Sequence, residues 1–167
     1  MKKIILRYGL YSALTISAIN FLGWTLGKSL SFSTQEVIGY TSMILSTSFV
    51  YFAIKHFRDK ENNGHITFKK ALVIGLLIVL FASTAFAIAD YIYTTIINPD
   101  FKEEYLEYAL EGMKTSLPPN EFEIKKVEVI EQMEAFTPSF MAIIMFFTVF
   151  TIGFIMTLIS SLILQRK

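Results

Sequence analysis

Asp90 is the only acidic residue inside a long apolar stretch of this 167-residue chain. An ionisable group in such a position is a functional candidate, because a charge within a membrane is costly to keep. Counted from a helix start near Ala71, Asp90 lies about 28 Å along the helix, against a hydrocarbon core of about 30 Å. This depth favours a carboxylate at the outer membrane interface, near Lys28 at the same depth, over a proton or ion relay.

Other polar or small residues also interrupt the apolar stretches, namely Asn20, Ser46, Thr47, Ser48, Ser83, Thr84, Ser160 and Ser161. They would suit the lining of a polar path, but small hydroxyl residues are also common where membrane helices pack closely. Packing is the favoured interpretation. Gly23 and Gly27 have the spacing of a motif that allows two helices to cross closely.

No catalytic, cofactor-binding or metal-binding residue is predicted. His56 and His65 flank a loop and lack further ligands, so we expect solvated histidines. Glu103 and Glu107 lack the spacing of a calcium loop and are expected to lie on a solvated helix face. The chain contains no cysteine and no recognisable hydrolase, metalloprotease or nucleotide-binding motif. We therefore expect a protein that is not an enzyme and has no cofactor.

Four apolar blocks supply the helices that would position these residues. The chain is 53% hydrophobic and 17% charged, whereas soluble domains average about 45–50% and about 25%. A helix that crosses a bilayer needs about 20 apolar residues. The predicted fold is an all-α integral membrane protein forming a single four-helix domain over residues 1–167. Its predicted transmembrane spans are residues 5–26, 36–56, 69–94 and 138–164.

Capping residues mark where three of these helices should begin. Ser33 with Glu36 has the spacing of a capping box, Thr67 precedes the third block, and Thr137 with Pro138 suits the first positions of the fourth helix. A cleavable signal peptide is the main alternative for the first block. The length of that block, and its lack of a good cleavage site, favour a retained span.

Basic residues predict the orientation, because cytoplasmic loops carry an excess of lysine and arginine. Ten lie in the N-terminal tail, the loop after the second block and the C-terminus; five lie on the other side. The predicted location is the bacterial inner membrane, with both termini cytoplasmic. Tyrosine and tryptophan prefer the membrane boundary, and their positions agree: Trp24, Tyr40, Tyr91 and Tyr93 on the outer side, Tyr8 and Tyr51 on the inner side.

Residues 98–137 are predicted to form an extracytoplasmic segment between the third and fourth spans. Helical spacing of apolar residues predicts an amphipathic helix, which Asn98 would cap and Pro99 would begin; its stripe is Phe101, Tyr105, Tyr108 or Ala109, and Met113. Residues 121–136 fit either a second helix or a short strand, with Asn120 and Glu123 at capping-box spacing. The segment holds ten acids and four lysines, a formal charge of −6. We expect its apolar stripe to dock on the outer ends of the third and fourth helices.

Several stretches resemble a bacterial membrane family known as domain of unknown function 4199. They are MKKIILRYG at 1–9, EVIGYTSM at 36–43, TFKKA at 67–71, NPDF at 98–101 and LISSLIL at 158–164. The resemblance covers essentially the whole chain. It implies a four-helix inner-membrane protein and supplies no activity.

Two functions are compatible with these sequence features. The first is a noncatalytic membrane protein whose acidic extracytoplasmic segment binds a protein partner or serves assembly. The alternative is a small transporter or channel that uses Asp90 and the hydroxyl residues as a polar route, with which a homo-oligomer is compatible. A net charge of +1 argues against a nucleic-acid partner.

Overall fold

The computed structural model describes residues 1–26 and 30–166. Within these residues the chain is helical, apart from turns and one isolated antiparallel bridge between Ile66 and Arg166. Four helical segments are long and apolar enough to cross a membrane, as the sequence predicts: Lys2–Thr25, Phe32–Glu61, Phe68–Ile97 and Pro138–Leu164. Apolar side chains such as Leu14, Ile88 and Ile163 are exposed on their outer faces. Such surfaces suit contact with lipid, and the structure is consistent with a membrane protein.

The individual helices subdivide these spans. They are α1 (Lys2–Leu26), α2 (Phe32–Thr47), α3 (Phe49–His56), α4 (Phe68–Ile92), α5 (Phe101–Ser116), α6 (Pro119–Glu134) and α7 (Pro138–Leu164). A π-helical turn, Phe57–Glu61, extends α3, and another, Tyr93–Ile97, extends α4. With α2 and α3 taken as one span, the described residues form six helices rather than a bundle of four alone.

Side-chain caps explain where three spans begin. Thr67 accepts from the backbone N–H of Lys70, and Thr137 from that of Phe140, as the sequence predicts. The prediction of Ser33 as the cap of α2 is wrong. Ser31 accepts from the N–H of Thr34, so the helix begins two residues earlier. Either serine would satisfy a donor that the first turn leaves free, and the earlier one lengthens the helix.

The connecting segment, residues 98–137, contains α5 and α6. Residues 119–134 are helical, which decides between the helix and the strand. The predicted caps are wrong for both helices. α5 begins at Phe101 after Asp100, because Asn98 ends the preceding π-turn by donating its N–H to the carbonyl of Tyr93. α6 begins at Pro119, where the missing N–H of proline costs nothing, so Asn120 already lies within its first turn.

The half of the bundle that holds both termini, hereafter the terminal half, is closely packed. The Arg58 guanidinium donates to the carbonyl of Leu164, and the N-terminal ammonium lies 2.7 Å from Glu61 Oε2. Chain ends and the loop after α3 therefore meet at one place. The larger apolar core lies in this half: Ile4, Ile5, Val50, Ala53, Ile54, Phe57, Ile66, Ala71, Ile74, Ile78, Val79 and Leu164.

Glycines let α4 approach its neighbours in the terminal half. A Cβ added at Gly75 would collide with the Thr157 side chain of α7 and lie 2.9 Å from Val50 Cγ1. A Cβ at Gly153 would lie 2.5 Å from Val79 Cγ1, and one at Gly9 2.7 Å from the Phe81 ring. Small residues at membrane helix interfaces permit this close approach. Helix contacts of this kind fix the spacing of α1, α4 and α7.

Candidate functional site

A cavity of about 490 Å³ opens between the spanning helices at the other end of the bundle, hereafter the cavity half. Every one of the four spans contributes to its wall, and the connecting segment covers it. Its lining is mainly apolar with a few polar groups, the usual make-up of a small-molecule site. The polar lining side chains among the described residues are those of Asn20, Trp24, Gln35, Glu36, Tyr40, Asp90, Tyr93, Tyr105 and Thr148.

Asp90 lies on this cavity wall. Its Oδ2 atom is buried and finds no hydrogen-bond partner among the described residues. α4 and its π-turn continue for seven residues past Asp90 to Ile97, which corresponds to about 10 Å of helix. Lys28, the basic residue expected beside it, lies outside the described residues. Asp90 is thus a half-buried carboxylate on the wall of the cavity, with one oxygen unpartnered among the described residues.

Glu36 is the second carboxylate of the cavity, one turn into α2. The sequence assigned it to a capping box, but the earlier helix start leaves its side chain to the cavity wall. Neighbouring Gln35 folds back and donates from its side chain to the carbonyl of Leu30 at 3.0 Å. Asn20 and Thr148 face the same space from α1 and α7. The polar groups therefore come from all four spans.

An aromatic chain borders the cavity beside these carboxylates. Trp24 stacks on Tyr93 with ring centroids 5.5 Å apart and planes 16° from parallel. Tyr93 in turn meets Phe101 of α5 edge to face at 5.5 Å. Phe101 and Tyr105 both pack against Phe32 at the start of α2, at 6.2 and 6.1 Å. These geometries are favourable for aromatic pairs, and they join α1, α2, α4 and α5 in one wall.

These contacts also show where the connecting segment docks. Phe101, Tyr105 and Tyr108 contact Phe32, so their rings rest on the start of α2 and the end of the third span. Docking on the outer end of the third helix was expected and is confirmed by the contact between Phe101 and Tyr93, whereas the contact with Phe32 was not expected. The proximity of Phe32 could not be inferred, because the packing order of the spans is not evident from their sequences.

Tyr105 and α6 complete the cover. Burial raises the pKa of the Tyr105 phenol above its ordinary value, and the negative charge of Glu36 raises it further. From α6, Met133 reaches the cavity lining, as does Phe136 just beyond it. The outer part of α6 packs poorly, since Ile124 is 72% exposed and Val127 56%. Towards the C-terminal end of this helix, Ile130 and Met133 are half-buried.

Three of the predicted hydroxyl residues bond within their own helices, whereas Ser161 Oγ is buried without a partner among the described residues. Ser46 donates to the carbonyl of Met43, Thr47 also to Met43, and Ser83 to Val79, all within their own helices. Thr84 is exposed on the outer face. Satisfied hydroxyls of this kind belong to helix packing, which is the interpretation that the sequence favoured.

Other predicted candidates fall outside the cavity. His56 is half-buried and pairs with the Tyr8 hydroxyl at 3.1 Å, so the expectation of a solvated side chain is wrong there. Glu103 and Glu107 are exposed, and the described residues contain no group of three or more potential metal ligands. Open space surrounds a Cβ at Gly23, which contradicts a close helix crossing at that residue; its partner Gly27 lies outside the described residues.

Comparison with known proteins gives a family and nothing further. A family model described as "Protein of unknown function (DUF4199)" matches residues 7–166, in agreement with the resemblance noted in the sequence. No curated protein and no solved structure matches the chain.

Proposed function

The chain belongs to the DUF4199 family, whose description assigns no activity, and we propose from its geometry that it is a noncatalytic membrane protein that binds a small amphipathic molecule. The ligand would occupy the cavity between the four spans. The observation that carries this proposal is the half-buried carboxylate of Asp90 on the wall of a cavity of about 490 Å³. One of its oxygens is buried without a partner among the described residues, which is costly, and a ligand in the cavity would compensate the carboxylate.

The mixed lining supports an amphipathic ligand. Asp90, Glu36 and Asn20 offer polar contacts, whereas Phe86 and Met145 belong to an apolar cluster at the deep end of the same cavity. A purely polar solute would leave the apolar wall without a partner, and a pure hydrocarbon would leave the carboxylate unsatisfied. The arrangement suits a molecule with one polar end.

Transport is a second candidate, favoured by the position of the cavity between all four spans. In this candidate function Asp90 keeps the role that the transporter alternative gave it, but the hydroxyl residues do not form the route. The acidic connecting segment keeps its proposed role as a docking surface for a protein partner, because the glutamates of α5 and α6 are exposed. These roles are compatible with binding in the cavity.

We further propose a bacterial inner membrane location with both termini cytoplasmic, which places the cavity in the outer leaflet. Its support is the bias of basic residues towards the terminal half. Single cysteines introduced at Asn62 and Thr115 should then react with an impermeant reagent from opposite sides of the membrane. Reaction of both from the same side would overturn the four-span arrangement.

The only tryptophan of the chain provides a test of binding. Trp24 lines the cavity, so a brominated decanol bound there should quench its fluorescence in a saturable manner, with protein held in lipid nanodiscs. Quenching from the lipid alone is measured with the double variant Phe21→Trp, Trp24→Phe, because Phe21 is exposed on the outer face. That variant should show only a non-saturating response.

A filled cavity supplies the complementary control. Gly39 lines the cavity, and no described atom lies within 4 Å of its Cβ position, so Gly39→Phe should occupy the space and abolish saturation. Equal, non-saturating quenching of Trp24 and of the tryptophan at position 21 would show that no binding site exists.

A further inference from the structure

We infer that the polar end of the ligand is an organic cation of the ammonium class, held between Asp90 and the aromatic wall; this inference rests on the proposed binding function and specifies its ligand. Three independent features of the cavity support it, namely charge, aromatic surface and the position of the acidic helices. None of them follows from the others.

The charge of the lining is one-sided. Asp90 and Glu36 are acidic, and no lysine, arginine or histidine occurs among the described residues that line the cavity. Asp90 is half-buried and Glu36 is exposed at the edge of the cavity. Together they repel an anion and attract a cation, and the attraction is stronger at the half-buried Asp90 than in water. A neutral polar group would satisfy hydrogen bonds but leave the negative charge uncompensated.

The aromatic wall suits a cation that carries alkyl groups. Trp24, Tyr93, Phe101 and Tyr105 line the cavity, the first two as a stacked pair. Aromatic faces attract cations, tryptophan most strongly, and clusters of aromatic rings are the usual means of binding quaternary ammonium groups. A bare metal ion would instead require several oxygen ligands in close array, and the described residues contain no such group.

The cavity constrains the apolar tail of the ligand less than its charged head. Met43, Met141 and Met145 line the cavity with Phe86 and Ile144. Methionine side chains are flexible and polarisable and adapt to varied apolar shapes. We therefore expect selection by the charge of the head rather than by the structure of the tail.

The acidic helices lie where they would concentrate cations. α5 and α6 contribute Phe101, Tyr105 and Met133 to the cover of the cavity, and residues 98–137 carry a formal charge of −6. A concentration of one sign of charge around a cleft raises the local concentration of the opposite ion and its association rate. The negative charge of the segment thus has a use without any protein partner.

Three probes with the same ten-carbon chain test this inference: decyltrimethylammonium, decanol and decyl sulfate. Each is titrated into protein in nanodiscs of uncharged lipid, with Trp24 fluorescence as the readout and empty nanodiscs to correct for partitioning. We expect decyltrimethylammonium to bind at least about tenfold more tightly than decanol, and decyl sulfate to bind more weakly than decanol. Equal affinity of the cation and the alcohol would overturn the inference while leaving binding in the cavity intact.

Paired variants identify the carboxylate responsible. Asp90→Asn should reduce the preference for the cation over decanol to about threefold or less, because the charge is removed while the size of the side chain is kept. The matched control is Asp100→Asn, which makes the same chemical change at an exposed position that gives no side-chain cap to α5. It should leave the preference intact. If none of the three probes saturates in the wild-type protein, the proposed binding function itself fails; a preference that survives Asp90→Asn excludes Asp90 as the recognising group.

Discussion

The two halves of the bundle use the same residue type to opposite effect. In the terminal half, Gly75 and Gly153 lie where α4 and α7 touch, and a single added carbon would collide with a neighbouring helix. In the cavity half, Gly23 and Gly39 line the cavity, and no described atom lies within 4 Å of either Cβ position. In the terminal half, the missing side chains allow the helices to pack against each other. In the cavity half, they leave space unfilled. Glycine in a membrane helix therefore indicates close packing only where a partner helix is present.

The contrast predicts that replacing a glycine with alanine changes stability in opposite directions in the two halves. Gly75→Ala should destabilise the protein by about 1–3 kcal/mol, because Thr157 and Val50 are stiff, β-branched neighbours that cannot move aside cheaply. Gly39→Ala should stabilise it by up to about 1 kcal/mol, since alanine favours the helix and meets open space. Apparent melting temperatures of the purified variants provide the measurement. Equal destabilisation by both would show that the cavity half is as tightly packed as the terminal half.

Sequence patterns predicted the spans well because each depends on local chemistry. Uninterrupted apolar stretches and the caps Thr67 and Thr137 require no knowledge of the rest of the fold. The cap of α2 was misplaced for the same reason, since Ser31 and Ser33 are locally equivalent and the choice between them depends on the helix as a whole.

The cavity could not be predicted, because it depends on how far the spans diverge. Asp90 was recognised as a candidate from its type alone, whereas Glu36, Trp24 and Gly39 carried no signal that they share one space with it. Their elements are far apart in the chain, and crossing angles are set by contacts such as Gly75 with Thr157 at the other end. Asn20, which also lines the cavity, was singled out only as one of several polar residues within the apolar stretches.

The connecting segment, which covers the cavity, provides a second test of the difference between the two halves. Tyr105→Asp places a charge where the ring packs against Phe32 and Phe101, at a cost of about 1–3 kcal/mol to the docked arrangement. The connecting segment should then become sensitive to protease and exchange its amide hydrogens faster, while the terminal half stays protected. Rapid exchange of residues 100–134 in the wild-type protein would instead show that the segment is not docked at all.

Exposed charges of the same segment provide the control for that experiment. Glu103 and Glu107 lie on the solvated side of α5, so Glu103→Lys with Glu107→Lys should change stability by less than about 0.5 kcal/mol. The double variant should nevertheless bind an organic cation more slowly than the wild-type protein at low salt. Added salt should remove this difference in association rate. Loss of folding in this variant would mean that the acidic face has a structural partner.

The most informative change in stability is expected at Asp90. Its unpartnered oxygen lies in a largely apolar space, so Asp90→Asn should raise stability by about 1 kcal/mol, since the uncompensated charge is removed and its shape retained. Asp100→Asn, at an exposed site, should change little. A gain in stability together with a loss of cation preference would mark Asp90 as a residue retained for binding at the expense of the fold. Destabilisation would have a different meaning, namely that the carboxylate is engaged within the chain, and Lys28 is the residue to examine. In that case Lys28→Gln should cost as much as Asp90→Asn, and the double variant should cost no more than either alone, because two residues that act only through each other are not additive.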